Sequence, residues 1–341
     1  MVQKPATVQD VAREAQVSTA TVSRVLTSPA RVSPGTREAV HEAIRATGYR
    51  VNLAARNLRM QRAGAVLVLI PDLRIPFYSG LLAGISEGFV GSEYAVLISD
   101  TKTNALKTET LAGYFSDGRI DGAICLDGKI TQASLDMCSA QGVDEQLVFL
   151  CEWADSTEFP VIASDNAEGA RLAMRHLYEL GHRRIAHVTG PEGNVLTTAR
   201  RQGMMDERTR LGLPARSEHI IRGDFSLDSG HAAARRILQM EDRPTAVFCS
   251  ADMVAFGLMA GLEAGGLRVP RDISVVGFDD IEMAAFSIPA LTTIRQDRNM
   301  LGRRSAEALL QRLANPDTPS GAEPLVPVEL VVRDSTAPPP V

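Results

Sequence analysis

The sequence predicts an α/β protein in which a small, basic, all-helical head precedes two doubly wound lobes of parallel sheet. Three observations carry this. Thr7 to Leu26, TVQDVAREAQVSTATVSRVL, holds two short apolar-periodic stretches separated only by Gln16-Val17, the pattern of a tight helix-turn-helix. From Gly64 onward, short apolar runs alternate with helical stretches, as strands of a sheet covered on both faces do. Charge divides at the same place: ten Lys or Arg stand against four Asp or Glu up to Arg62, a balance of +6 in a chain whose total is −5.

In the head, Val8, Val11, Ala12 and Ala15 form one buried stripe of a first helix, with Thr7 placed to cap it and Asp10 in its first turn. A second helix opens at Ser18 and buries Val22, Val25 and Leu26, while Val17 plugs the angle between the two. A third, roughly Pro34 to Thr47, has Ser33 as N-cap, Pro34 at its first position, Val40, Ala43 and Ile44 inside, and Gly48 as terminator. The segment Tyr49 to Arg59 is long enough for about two helical turns, too short to hold alone in water, and is expected to order on a partner. A basic helix-turn-helix on an acidic body fits a head that meets phosphates, its second helix lying in a major groove.

At this point the motifs are specific. D-V-A, then V-S-x-x-T-V-S-R, V-S-x-x-T-R and G-Y-x-x-N-x-x-A-R-x-L resemble the lactose/galactose-repressor family of bacterial transcription regulators, in particular its purine and cytidine repressor branch. The resemblance runs from Thr7 to about Ser335. It implies that Thr19, Ala20 and Arg24 read bases. Thr7, Ser18, Ser23, Ser33, Thr36 and Tyr49 match positions near the DNA backbone. Asn52 and Arg56 fall in a hinge helix, and Leu58 matches a leucine pushed into a central minor-groove step. Val51 stands where the family usually has Pro, so the hinge lacks that fixed φ. The resemblance also implies a periplasmic-binding-protein-like core, a homodimer or higher assembly on double-stranded operator DNA, and a cytoplasmic place on the bacterial nucleoid.

The expected organisation is a head at 1–62, with the hinge helix at about 52–60, and an effector-binding and dimerisation core at 63–341. Eleven strand-like runs are too many for one comfortable sheet. The core is therefore divided into a first lobe, about 63–160 plus 293–325, and a second, about 161–292 plus 326–335. Pro316 to Pro324 reads as a surface loop and Thr336 to Val341, TAPPPV, as a frayed tail. No run approaches a membrane span, and no secretion signal is expected. Cys125, Cys138, Cys151 and Cys249 lack C-x-x-C spacing and read as small buried hydrophobes.

The ends of the runs carry the chemical signal, because open α/β sheets bind ligands beyond the C-terminal ends of their strands. Asp72, Asp100, Asp127, Glu152, Asp165, Asp224, Asp252 and Asp279 all lie there. Several are expected only to cap the following helix, notably Asp100 and Asp127. Asp252 and Asp279 are the preferred ligand candidates, and the family places an effector-contacting acid at the position of Asp279. Phe77, Tyr78, Trp153 and Phe225 offer aromatic walls, with ordinary packing as the competing explanation. Phe225 matches the position whose ring stacks on the base in the purine repressors. Arg200 is the cationic candidate and matches an effector-binding arginine of the family, whereas Arg201 is expected in solvent. At Asn194 and Leu196 the purine repressor has Arg and Thr, so a purine corepressor loses its partners here.

Enzymatic readings find no support: there is no G-x-G-x-x-G, no G-x-x-x-x-G-K-[ST] and no H-E-x-x-H. No metal or cofactor is expected. The alternatives are a small-molecule-binding protein that never meets DNA, which the head argues against, a hydrolase, and a corepressor-dependent regulator. The expected function is a repressor released from a palindromic operator by a small hydroxylated effector, a nucleoside or a sugar, the two standing nearly equal.

Overall fold

The computed structural model describes residues 6–50, 57, 62–102, 110–153, 159–214, 216–315 and 324–340. The chain divides into two units, Met1–Ala63 and Gly64–Val341. Of the hinge expected at about 52–60, Asn52, Arg56 and Leu58, with Val51 before them, lie outside the described residues, as do residues 316–323 of the expected surface loop.

The first unit holds α1 (Val8–Glu14), α2 (Thr19–Thr27) and α3 (Pro34–Thr47), with a 3-10 turn at Pro29–Arg31 before α3. Polar caps set each helix start. Thr7 and Asp10 form a reciprocal box, Ser18 Oγ accepts from the Thr21 amide at 3.0 Å, and Ser33 Oγ accepts from that of Thr36 at 3.3 Å. Gln16, at φ 54°, turns the chain between α1 and α2, and Gly48, at φ 64°, ends α3. Val11, Val22, Val25, Val40 and Ala43 close the core, with Val17 packed against them.

The second unit contains two sheets. The first lobe carries β1 (Ala65–Ile70), α4 (Phe77–Gly88), β2 (Ala95–Asp100), α5 (Thr110–Ser116), β3 (Gly122–Cys125), α6 (Gln132–Ala140), β4 (Leu147–Leu150) and β5 (Val161–Ile162). Its strands run parallel in the order β2-β1-β3-β4-β5. The second lobe carries α7 (Asn166–Glu179), β6 (Ile185–Val188), α8 (Val195–Arg210), β7 (Ile220–Ile221), α9 (Leu227–Leu238), β8 (Ala246–Cys249), α10 (Asp252–Ala264), β9 (Ser274–Asp279), β10 (Thr292–Gln296) and β11 (Val328–Val331). Its order is β11-β10-β9-β8-β6-β7, parallel except for the antiparallel pair β10 and β11. The six residues of β1 are all buried, as a central strand requires, whereas edge strand β2 leaves Leu97 and Ile98 exposed.

α11 (Arg298–Ala314) returns to the first lobe, where Leu301, Ala306 and Leu309 join the core of β1 and β3. It packs on α4 at backbone contact: a Cβ on Gly84 would lie 2.1 Å from the Asn299 carbonyl, and one on Gly302 would lie 2.2 Å from that of Leu81. The chain therefore crosses between lobes at residues 163–165, at Asp297 and at residues 324–327. The first two of these crossings lie a few residues beyond the boundaries expected at 160 and 293, because β5 completes the first sheet and β10 the second. Two of the crossings are bonded together, Asp165 N donating to Val326 O at 3.0 Å and Val326 N to Ala163 O at 2.8 Å.

Two expectations are corrected. The C-terminal segment is not a frayed end through residue 340. Within the expected tail, Ala337 N donates to Ser274 Oγ at 3.0 Å and Ala337 O lies 2.8 Å from His182 Nε2; just before it, the buried Ser335 hydroxyl donates to Val275 O at 2.6 Å and accepts from Thr292 N at 2.8 Å. Bonds between side-chain hydroxyl or imidazole groups and backbone, rather than apolar burial, hold it, so its Pro-rich composition gave no sign of order. Nor is Asp127 a helix cap: it accepts from Lys129 N at 2.9 Å, and Thr131 caps α6. Asp100 accepts from Leu73 N at 3.0 Å, fastening a neighbouring loop, and Asp165 is the acid that caps a helix, α7. The four cysteines are free and buried. Among the described residues, no helix is long and apolar enough to cross a membrane.

Candidate functional site

In the first unit, α2 buries Val22 and Val25 and turns Thr19, Ala20, Ser23 and Arg24 outward. That division follows from helical spacing: Thr19, Ala20, Ser23 and Arg24 lie at i, i+1, i+4 and i+5, one exposed face. Thr7, Ser18 and Ser33 are exposed, and Thr36 and Tyr49 half-buried. Three of these hydroxyls are also structural, because Thr7, Ser18 and Ser33 cap α1, α2 and α3. Arg13 is drawn to Asp10 at 2.9 Å and Arg45 to Glu38 at 3.4 Å, whereas Arg24 has no ion-pair partner among the described residues. An unpaired guanidinium on the open face of a capped helix is free to fork onto a base edge.

In the second unit, the C-terminal ends of both sheets face one shared cavity. From the first lobe come Phe77, Tyr78, Leu126, Cys151 and Glu152; from the second come Leu196, Arg200, Phe225, Met253 and Asp279. Arg200 is only 2% exposed. Its Nε donates to Asn166 Oδ1 at 2.8 Å, its Nη1 to the Ser250 carbonyl, and the guanidinium lies 3.8 Å over the Phe278 ring. Nη2 stands 3.9 Å from Asp279 Oδ1, too long for a direct hydrogen bond, and that oxygen accepts from Gln296 Nε2 at 2.8 Å. Arg200 is thus fixed in place with one edge turned to the acid.

Burial governs the electrostatics. It pushes the Asp279 carboxyl up to about 6, against the opposing pull of Arg200, and raises Glu152 as well. The Tyr78 hydroxyl is driven well above its ordinary range by burial and then by the charge of Glu152. Three lining residues hold left-handed backbones without being glycine: Cys151 at φ 66°, Phe225 at φ 67° and Asp279 at φ 123°. Such conformations are costly and gather where a chain must aim side chains at a ligand. Gly190 makes the Phe225 position available, because a Cβ there would lie 2.2 Å from Phe225 Cζ.

Phe77, Tyr78, Arg200, Phe225 and Asp279 therefore come together around one space. Asp252 does not join them. It is fully buried, its Oδ2 accepting from Ile281 N at 2.8 Å and its Oδ1 from Thr293 Oγ1 at 2.5 Å, so it ties the first turn of α10 to β10. Its carboxyl is held well above the usual range, first by burial and then by the charge of Asp279. Trp153 lines a neighbouring cavity instead. Ile75, Leu126, Cys151, Ala251 and Met253 were not singled out from sequence, although Leu126 and Cys151 directly follow β3 and β4, where a strand-end rule would find them.

An acceptor, a fixed guanidinium and aromatic rings on both walls suit a hydroxyl-bearing ring. Among the described residues, no group of three or more His, Cys, Asp or Glu is placed to hold a metal ion.

Comparison with known proteins bears on both units. Residues 7–52 match the family described as bacterial regulatory proteins, lacI family, and residues 174–336 match a periplasmic binding protein-like domain. The chain is 36% identical over 332 residues to the HTH-type transcriptional repressor CytR of Escherichia coli K12, covering 97% of this chain and 96% of that protein. It is 33% identical over 312 residues to the HTH-type transcriptional repressor PurR of Photorhabdus laumondii, covering 91% of each. Among solved structures, the lac repressor dimer bound to operator and the anti-inducer ONPF superposes with a TM-score of 0.82 at 32% identity, covering 98% of this chain and 100% of that one.

Proposed function

The chain belongs to the lacI family of bacterial regulatory proteins, and on that footing we propose that its operator affinity is set by a small hydroxylated molecule held beside Arg200 and Asp279. It is a sequence-specific DNA-binding repressor regulated by a small-molecule effector. Within the head, Thr19, Ala20 and Arg24 take the base edges, and Thr7, Ser18, Ser23, Ser33, Thr36 and Tyr49 the sugar-phosphate backbone. Asn52 and Arg56 belong to the hinge, with Leu58 as the minor-groove wedge. The protein acts on the bacterial chromosome as a homodimer, two heads meeting a near-palindromic operator. The exposed apolar residues Leu97, Ile98, Phe286 and Ile288 are consistent with a further contact surface.

The observation that carries the effector reading is the buried Arg200 and Asp279 pair between aromatic walls from both lobes. A ligand touching both walls differs in affinity between lobe arrangements, and only such a difference can shift the DNA-binding state. Release by the effector is favoured over corepression. Asn194 Oδ1 is occupied by the amides of Leu196 and Thr197 at 2.9 and 3.1 Å, capping α8, and Leu196 offers a base no polar partner. A nucleoside and a sugar both fit this chemistry. Calorimetry of the purified protein against nucleosides, pentoses, hexoses and disaccharides tests the reading. Saturable binding that disappears in Asp279→Ala and Arg200→Ala supports it, and binding indifferent to both places the effector elsewhere.

A further inference from the structure

A groove on the second lobe alone takes no part in the cavity around Arg200 and Asp279. One side is a face of α8, on which Thr197, Arg201 and Met205 recur at every fourth position; the other is the edge strand β7, through Ile220, with Arg222 just beyond it. Of its described lining residues, three are charged. Arg222 and Glu192 are paired with one another, whereas Arg201, exposed on α8, has no ion-pair partner among the described residues. The lining therefore carries one uncompensated cation.

Thr197 supplies a second, independent observation. It is only 8% exposed, and its Oγ1 has no hydrogen-bond partner among the described residues. A buried hydroxyl in that state is costly, and an acceptor brought from outside relieves it. The neighbouring donors are already committed. Thr198 Oγ1 donates to the Asn194 carbonyl at 3.2 Å, and the amides of Leu196 and Thr197 go to Asn194 Oδ1, so neither that hydroxyl nor those amides have a proton to offer. Thr197 and Arg201 stand one helical turn apart on the same face, a neutral donor beside a guanidinium fork. Together they suit the oxygens of a single anion, a carboxylate or a phosphate. The groove also backs onto the inner cavity. Gly190 lines it, and a Cβ there would lie 2.4 Å from Thr197 Oγ1 and 2.2 Å from Cζ of Phe225, whose ring walls that cavity. Arg200 and Arg201 are consecutive, the first buried toward Asp279 and the second open to the groove.

We propose that this groove is a second ligand site, in which Arg201 and Thr197 hold the oxyanion of a small carboxylate or phosphate compound. Binding turns the Thr197 hydroxyl away from Gly190 and toward the anion. The test is thermal unfolding of the full chain as chloride is exchanged for phosphate or for acetate at constant ionic strength, the two anions separating the two sources of such a group. The midpoint should rise with anion concentration, as it does for a ligand that binds only the folded state. Arg201→Gln should weaken the apparent affinity about tenfold, the worth of one hydrogen bond to a charged group, and Thr197→Val several-fold. In chloride both variants should melt no lower than the parent, because an exposed unpaired arginine and a buried unpaired hydroxyl contribute no bond to the fold. A lowered chloride melt in Thr197→Val would show that the hydroxyl has a partner inside the protein, and would remove it from the site. Protection by neither anion overturns the proposal. So does protection that persists undiminished in Arg201→Gln, which is the general effect of an excluded salt. Protection lost in Arg200→Ala but kept in Arg201→Gln places the anion in the inner cavity and overturns it as well.

Discussion

Asp279 gives the cavity between the two sheets a pH signature that can be read without any ligand. Burial lifts its carboxyl from an ordinary 3.8 to about 6 in the folded protein. The folded state therefore holds this proton more tightly than the unfolded state. The associated stability is full below pH 3.8 and is lost as pH rises through about 6. At about 1.4 kcal/mol per pH unit, the loss is about 3 kcal/mol, most of it between about pH 4 and about pH 7. Asp279→Asn resembles the protonated acid and does not titrate. Removing the partner of Arg200 costs the variant a constant amount, but its stability relative to the parent should climb by up to about 3 kcal/mol across that range. Part of Asp252's own raised pKa comes from the Asp279 charge, so removing that charge relieves Asp252 as well and works in the same direction. Urea unfolding followed by circular dichroism at a series of pH values measures the difference. A difference independent of pH, or one that shrinks as pH rises, would refute the assignment of Asp279 as a buried carboxyl that ionises at a cost.

Three further outcomes are expected. Gly190→Ala places a methyl 2.2 Å from Phe225 and 2.4 Å from Thr197 Oγ1, so the ring must leave its wall. At the usual overpacking cost of about 1–3 kcal/mol, effector affinity should fall tenfold or so while effector-free operator binding stays intact, as calorimetry and DNA titration would show. Arg24→Ala should relax base choice at one operator position by about 1–3 kcal/mol, and a binding-site selection that leaves every position equally sharp would count against a base contact. Termination after Asp334 removes Ser335 and its bonds to Val275 and Thr292, and should lower the core's unfolding midpoint by a few kcal/mol equivalent, whereas an unchanged melt would mean the tail bears no load.

Much of the head was legible because its signals are local. Thr7, Ser18 and Ser33 announce helix starts within three residues of the groups they bond, Gly48 ends a helix by its own left-handed backbone, and the apolar spacing decides which face is buried. The doubly wound core was equally legible from its strand rhythm. The cavity proposed for the effector was legible only in part, because its polar members stand at strand ends and its apolar members look like core. Leu126 and Cys151 belong to the second kind. Asp252 shows the opposite failure. An acid after a strand reads the same whether it faces a ligand or a neighbour, and its neighbours, Ile281 and Thr293, are 29 and 41 residues away. The order of Ala337 was missed for the same reason, since its partners His182 and Ser274 lie 155 and 63 residues back in the chain.

The central claim is that occupation of the Arg200 and Asp279 cavity controls DNA affinity. The most direct test is a titration of labelled operator with the pure protein, with and without the ligand selected by calorimetry, in the parent and in Asp279→Ala. Ligand should weaken operator binding in the parent by about 5-fold to 150-fold, the ordinary range of such coupling, and leave the variant unmoved. Tighter operator binding with ligand would contradict release, and an operator affinity indifferent to ligand in the parent would contradict the claim itself.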